Sequence, residues 1–290
     1  MRRRGWVSGV EFISVEGERK YAALVRAAAE TVVGLDFDGT LSPIVEDPAE
    51  AHIHPEAGQV LVDLAAQVLA IAVVTGRPAR QALDLGGLEA VGNAVGDSGK
   101  ELYLFGQYGN ERWSSTHRRI IGPRPPHGLA TFLRELPRAL RRAGAEDAYV
   151  EEKGLAIAIH TRRMPDPDGA FDRLLPVLRD LAAQHDLVVE PGKNVIEVRS
   201  AGMDKGLVVE RLVEELGAKG LLFAGDDLGD LEAFEAVARQ AKHGLDTLLV
   251  CSHSAEESAL IPLADVVVHG PEGVLDFLRE LTEDAAALRA

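Results

Sequence analysis

The sequence has one cysteine, Cys251, in 290 residues. No internal disulfide can form, which favours a reducing compartment. Cys251 follows the apolar run TLLV and reads as a small buried hydrophobe. No apolar run approaches the length of a membrane span, so no membrane-crossing segment is expected. The basic start, MRRRGWVSGVEF, has no apolar stretch behind it, so no signal peptide is expected and the cytoplasm is the expected location. Excess positive charge is also lacking: the formal net charge is −15. That balance argues against a nucleic-acid partner. An anionic small-molecule partner would have to be drawn in by a local positive site or a metal.

What is present is an ordinary globular balance, 46% hydrophobic and 27% charged, with chain enough for one large domain or two smaller ones. Residues 1–17 show no clear period and read as a loosely packed arm. ERKYAALVRAAAE is built of helix formers. TVVGLDF is continuously apolar, like a strand buried on both faces, and EAGQVLVDLAAQV (helix) and LAIAVVTGR (strand) follow it. Strand, helix, strand predicts a parallel sheet with helices on its faces, an α/β doubly wound fold. The alternation returns after residue 201 through KGLVVERLVEEL, GLLFAGDD, LEAFEAVARQA, DTLLVC and ADVVVHG to the closing helix EGVLDFLRELTEDAAALR. Between the two halves, ELYLFGQYGNERW reads as a strand or hairpin and GPRPPHG as a linker. Helix-then-paired-strands then occurs twice, predicting an inserted α+β unit. The expected division is 1–30 as arm and helix, 31–121 with 201–290 as the core, and 122–200 as the insert.

Two carboxylates interrupt the apolar run VVGLDFDGTLSPI. Residues two apart on a strand share a side, so Asp36 and Asp38 are expected to converge beyond the sheet's carboxyl edge, where open α/β sheets bind ligands. Burying two acids together is costly, and a divalent cation resolves the cost. Mg²⁺ prefers oxygens, accepting one or two carboxylates while keeping waters and phosphate oxygens. A second buried strand ends in Asp226, Asp227 and Asp230, a further acidic group aimed at the same edge. Thr75 follows another buried strand, and Lys205 opens a helix. A hydroxyl, an ammonium and a helix N-terminus suit a phosphate; a cap for Thr75 and a solvated side chain for Lys205 are the structural alternatives. Within the insert, Ala156, Ala158, His160 and Arg162 share one face of LAIAIHTR, and Lys193, Val195, Glu197 and Arg199 share one face of KNVIEVR. The same pattern fits a solvated outer face of an antiparallel sheet.

The ordered set DFDGT, TGR, Lys205 before Gly206 and GDDLGD resembles the four motifs of the haloacid-dehalogenase phosphohydrolases, and the insert resembles the α/β cap of their sugar-phosphate branch. DGTLSPIVEDP, YGNE, VEEKGLAIAIH, PGKNVIEVR and KG extend the likeness, over about residues 30–280, to the trehalose-6-phosphate phosphatases. The resemblance implies Mg²⁺-dependent hydrolysis of trehalose 6-phosphate through an aspartyl-phosphate. It gives Asp36 as nucleophile, Asp38 as acid and base, and Thr75 and Lys205 holding the phosphoryl group. The implied metal ligands are Asp36, Asp38 through its backbone carbonyl, Asp226 and Asp227. The implied substrate contacts are Arg77, Asn110, Glu151, Lys153, Arg162, Lys193 and Glu197. The sequence departs from the family at Gly229 and Leu231, where Thr and Glu are usual, and at Tyr108, where His is frequent. A phosphatase of another sugar phosphate (sucrose-phosphate or mannosyl-phosphoglycerate type), a phosphomutase and a non-catalytic sugar-phosphate sensor are the competing expectations. A synthase partner is not readable from the sequence.

Overall fold

The computed structural model describes residues 10–192, 194–202, 204–253 and 259–289. In chain order its elements are β1 (Val10–Phe12), α1 (Val15–Arg26), β2 (Thr31–Leu35), α2 (Ala57–Ala65), β3 (Ala70–Val74), α3 (Ala79–Gly86), α4 (Leu88–Asp97), β4 (Leu102–Gly106) and β5 (Glu111–Ser114). There follow α5 (His127–Ala143), β6 (Tyr149–Glu152), β7 (Ala156–His160), α6 (Pro167–Ala183), β8 (Val188–Gly192) and β9 (Val195–Arg199). The chain closes with α7 (Lys205–Leu216), β10 (Gly220–Gly225), α8 (Leu231–Lys242), β11 (Asp246–His253), β12 (Val266–His269) and α9 (Gly270–Arg289). Two compact units result, Met1–Ile121 with Met203–Ala290 and, separately, Gly122–Gly202. Among the described residues, no helix is long and apolar enough to cross a membrane.

The first unit is a doubly wound sheet of order β1-β12-β11-β10-β2-β3-β4-β5. Its interior pairings are parallel, and the edge strands β1 and β5 are antiparallel. Alternate residues of the buried strands serve opposite faces. Val33, Leu35, Leu222 and Ala224 pack with Leu24 of α1, Leu61 of α2 and Phe277 of α9. Val32, Leu221, Phe223 and Cys251 pack with Val208 of α7 and Phe234 of α8. This double burial is why the strands read as unbroken apolar runs. Cys251 is fully buried, as the sequence led one to expect. From β2 the chain winds outward through β3 and β4, and β10, β11 and β12 lie on the other side. The β2–β10 boundary is therefore the switch point where such sheets bind ligands.

The N-terminal expectation is corrected where it can be seen. Residues 1–9 lie outside the described residues, but residues 10–17 are part of the packed unit. β1 pairs antiparallel with β12, Ile13 N–H donates to the Asp265 carbonyl at 3.0 Å, and the Ser14 hydroxyl caps α1 by accepting from Gly17 N–H at 3.1 Å. Three residues of strand are too few for a period to emerge. Helices α3 and α4, unassigned from the sequence, fill the β3-to-β4 crossover.

The second unit is an antiparallel sheet, β6-β7-β9-β8. Ile157, Ile159, Ile196 and Val198 bury one face against Phe132 and Leu136 of α5 and Leu174 and Leu178 of α6. The other face carries a cross-strand row, Glu151–Ala158–Glu197–Glu190, set by the register.

The β2–β10 pair depends on a glycine. Gly34 lies opposite Phe223, and a Cβ at 34 would stand 2.7 Å from the ring's Cδ2. Phe223 is fully buried and has nowhere to retreat. Gly34→Ala is expected to cost about 1–3 kcal/mol in chemical denaturation, the usual range for overpacking. Unchanged stability would overturn this account of the pair.

Candidate active site

The loops that follow β2 and β10 meet at the switch point. β2 ends at Leu35, so Asp36 and Asp38 stand beyond the strand and strict alternation does not govern them. Asp36 remains tied to the sheet through its N–H, which donates to the Ala224 carbonyl at 2.9 Å. The residue is 4% exposed. Gly39 adopts φ +71°, and a Cβ there would fall 2.0 Å from Asp226 Oδ2. Glycine thus serves both the left-handed turn and the close approach of the second acidic loop. The Ser252 hydroxyl fastens this turn from β11, donating to the Gly39 carbonyl at 2.6 Å.

Lys205 stands in the first turn of α7, whose N-cap is Asp204. It is buried rather than solvated. Its Nζ donates to Asp36 Oδ1 at 2.6 Å and to Asp230 Oδ1 at 2.7 Å. Asp230 in turn accepts from the Asp226 N–H at 3.0 Å, and the absence of a Cβ at Gly225 makes room for it. Carboxylate oxygens of Asp36, Asp226 and Asp230 lie within 4.8 Å of one another.

Three buried acids share one buried ammonium, and their titration reflects the shortage of positive charge. Burial, then the charge of Asp230, raises Asp36 well above the ordinary carboxylate value despite Lys205. Asp226 is pushed up to about 9, first by burial and then by Asp36, Asp227 and Asp230. Burial also raises Asp230, against the pull of Lys205. Burial alone would lower the Lys205 ammonium, but Asp230 and Asp36 outweigh it and hold it well above its usual value. A divalent cation would supply the missing charge, and this all-oxygen donor set fits a hard one such as Mg²⁺.

The expected ligand Asp227 is not among these three. Asp227 is exposed, not part of the carboxylate cluster, and its Oδ1 accepts from Gly229 N–H at 2.8 Å. Asp230 is the third member of the cluster. The turn Leu228–Asp230 folds the chain back so that the fourth residue after Asp226 returns beneath it. The small residues Gly225 and Gly229 were the available signal. Near where a side chain at the unusual Gly229 would begin lies the Asp227 carboxylate, its Oδ1 at 3.0 Å.

Thr75 is buried after β3, but it is not a helix cap. Its Oγ1 accepts from the Arg77 N–H at 3.1 Å within the turn. Arg77 forks onto Asp38, with Nε to Oδ2 at 2.7 Å and Nη2 to Oδ1 at 2.6 Å. Asn110 closes its own turn, donating from Nδ2 to the Gln107 carbonyl at 2.9 Å.

The other expected contacts lie in the second unit. Glu197 is 5% exposed, its Oε2 accepting from Lys153 Nζ at 2.7 Å. Its Oε1 is buried and has no hydrogen-bond partner among the described residues. Glu151 pairs with His160 Nε2 at 3.0 Å. Arg199 pairs with Glu190 at 3.2 Å; Glu190 went unremarked in the sequence because only register places it beside Glu197. The burial of Glu197 and Arg199 is not that of a simple solvated face. Arg162 departs from expectation. β7 ends at His160, so Arg162 sits in an exposed turn beyond the alternating face. Lys193 lies outside the described residues.

Comparison with known proteins bears on this arrangement. The model of the trehalose-phosphatase family matches residues 34–110 and 138–266. A Mycobacterium tuberculosis protein described as an uncharacterized glycosyl hydrolase is 36% identical over 71% of this chain, which spans only 15% of that relative's length. A probable trehalose-phosphate phosphatase of rice is 30% identical over 92% of this chain and 74% of its own. The solved C-terminal domain of Candida albicans trehalose-6-phosphate phosphatase superposes with a TM-score of 0.75 at 21% identity, covering 96% of this chain and 99% of that one, a likeness of fold. The matched stretches begin just before Asp36, take in the Thr75 and Arg77 turn and run past Asp230, so the chain belongs to the trehalose-phosphatase family.

Proposed function

We propose that this protein hydrolyses trehalose 6-phosphate to trehalose and phosphate, with Asp36 as nucleophile. The observation that carries the reading is the buried Lys205–Asp36 contact of 2.6 Å at the sheet's switch point. It aims a carboxylate oxygen and a fixed positive charge at one place, which a phosphate monoester needs. An Asp36 oxygen attacks phosphorus and the bond to the sugar oxygen breaks. Asp38 gives that oxygen its proton. Water then attacks the phosphorus of the aspartyl-phosphate, the bond to Asp36 breaks, and Asp38 recovers a proton from the water. Lys205 offsets charge on the transferring group. Thr75 accepts the Arg77 N–H and so keeps its own O–H to donate to a phosphoryl oxygen. Asp36, Asp226 and Asp230 would hold Mg²⁺, which when bound screens the repulsion between carboxylate and phosphate.

The sugar is assigned to the polar sheet face of the second unit. Glu197 Oε1 is a buried acceptor with no donor, and leaving such an atom unpaired is costly. A sugar hydroxyl supplies the donor, and Glu151 and Lys153 offer further acceptors and donors for a polyol. Arg162 and Lys193 remain proposed contacts on the family resemblance alone.

Phosphate release from a panel of sugar phosphates tests the activity. Trehalose 6-phosphate is expected to rank above sucrose 6-phosphate and glucose 6-phosphate, and Asp36→Asn to abolish turnover with the fold retained by circular dichroism. No turnover of any phosphoester by the wild type would leave the sensor reading; equal turnover of glucose 6-phosphate would remove disaccharide specificity.

Glu197→Ala should lower kcat/KM for trehalose 6-phosphate by roughly ten- to a hundredfold, the consequence of losing a buried polar partner. An aryl phosphate, which offers no disaccharide, should be hydrolysed nearly as before. Equal slowing of both substrates would make Glu197 a support of the fold.

The raised carboxyls give the metal reading a sign. At neutral pH without a cation, the folded protein holds protons on this cluster that the unfolded chain releases near the ordinary value of 3.8. The folded form binds more protons, so this contribution to stability is full below about 3.8 and is lost as pH rises through about 9. Mg²⁺ displaces those protons. Calorimetry in buffers of different ionisation enthalpy should therefore show proton release at pH 7, with affinity rising toward pH 9 and the Tm gain from Mg²⁺ greatest at the alkaline end. Binding without proton release would overturn the assignment of these ligands.

A further inference from the structure

Arg77 is committed to protein acceptors at every nitrogen of its guanidinium. Nε and Nη2 fork onto the two oxygens of Asp38, and Nη1 donates to the Pro48 carbonyl at 2.7 Å. The Phe37 ring lies beneath the guanidinium at 5.5 Å to its centroid. The arginine side chain is 10% exposed while that of Asp38 is 41% exposed. The pair thus presents its carboxylate outward and keeps its cation behind.

The backbone of Arg77 is held as firmly. Its N–H donates to Thr75 Oγ1, and its carbonyl accepts from the Gln107 N–H at 2.8 Å. The Tyr108 N–H donates to the Thr75 carbonyl at 3.0 Å. Gln107 and Tyr108 are consecutive non-glycine residues at φ +47° and +58°, a conformation side chains adopt at a cost and that clusters at functional sites. The Tyr108 ring fits against Gly76, where a Cβ would stand 2.8 Å from the ring's Cζ and hydroxyl. Asn110 Nδ2 closes the turn on the Gln107 carbonyl, and Glu111 Oε2 takes the Ala79 N–H at 2.6 Å at the start of α3. The YGNE segment therefore braces the turn that carries Arg77.

We infer that Arg77 is a positioning residue that acts wholly through Asp38, fixing its carboxylate while the Gln107–Glu111 segment fixes Arg77, rather than a contact to substrate. This rests on the reading of Asp38 as acid and base given above. The fork takes one lone pair on each oxygen of Asp38, and each oxygen has a second site, so the carboxyl can still carry the proton it gives and later recovers. Without the fork Asp38 would swing among rotamers at the open end of its loop. Misplacing a reacting group by about 1 Å can cost on the order of a hundredfold.

The test is a double-mutant cycle on the full chain with trehalose 6-phosphate, reading kcat and KM for wild type, Arg77→Gln, Asp38→Asn and the double variant. Arg77→Gln is expected to lower kcat by about ten- to a hundredfold with KM within about threefold, and Arg77→Lys, which keeps charge but cannot fork, to lower it too. In the Asp38→Asn background, Arg77→Gln should cost less than about threefold, because the group it positions is already lost. Multiplicative losses, or a KM that rises with kcat preserved, would overturn the inference and make Arg77 a substrate contact. An Asp38→Asn enzyme within a few-fold of wild type would instead overturn the acid–base reading beneath it. Should Arg77→Gln fail to fold by circular dichroism, the same cycle run with Arg77→Lys decides between these outcomes.

Discussion

A single buried ammonium among three buried carboxylates is the constraint on which the site depends. Lys205 reaches Asp36 and Asp230 at hydrogen-bond distance, and Asp226 completes the acidic cluster. One positive charge cannot satisfy three negative ones at low solvation, so the acids hold protons or accept a cation. The neighbouring architecture brings these groups together without crowding. Gly39 and Gly225 clear the space their carboxylates occupy, and the Ser252 hydroxyl pins the turn from β11.

Charge is handled differently a few residues away. Asp38 is half exposed and has its own arginine. Asp36 and Asp38 are thus two carboxylates with separate cations, one sealed beside an ammonium and the other facing outward on a fork. Such divergence in environment is how neighbouring acids come to have different chemical roles. In the second unit too, acids are paired one by one: Glu197 with Lys153, Glu190 with Arg199, and Glu151 with a nitrogen of His160, with one buried oxygen of Glu197 left over.

The fold was legible to the extent that burial was two-sided. β2, β3 and β10 are buried at every position, and all but apolar throughout, because helices cover both faces. β1 was not legible, because three residues paired on an open edge carry no period. Helices α3 and α4 escaped for the opposite reason: glycines within QALDLGGLEAVGNAVGD weaken the helical signature, and packing against the sheet supplies what propensity does not.

At the site, residue type and order pointed to Asp36 and Asp226, acids at the ends of apolar strands, whereas Thr75 and Lys205 each had a structural alternative and were singled out only by the ordered set of motifs. Composition likewise set the acidic balance and the lack of internal disulfides. Only the tertiary structure brought Asp230, rather than Asp227, beside Asp36 and Asp226, through a turn that folds back beneath β10. It also paired Arg77 with Asp38 across 39 positions of sequence, placed Glu190 beside Glu197 by register, and moved Arg162 off the sheet face by ending β7 at His160. The physical reason is common to all four. Strand periodicity says which way a side chain points while the strand lasts, but a partner's identity depends on where loops bring the chain back, and that is fixed by packing between segments far apart in sequence.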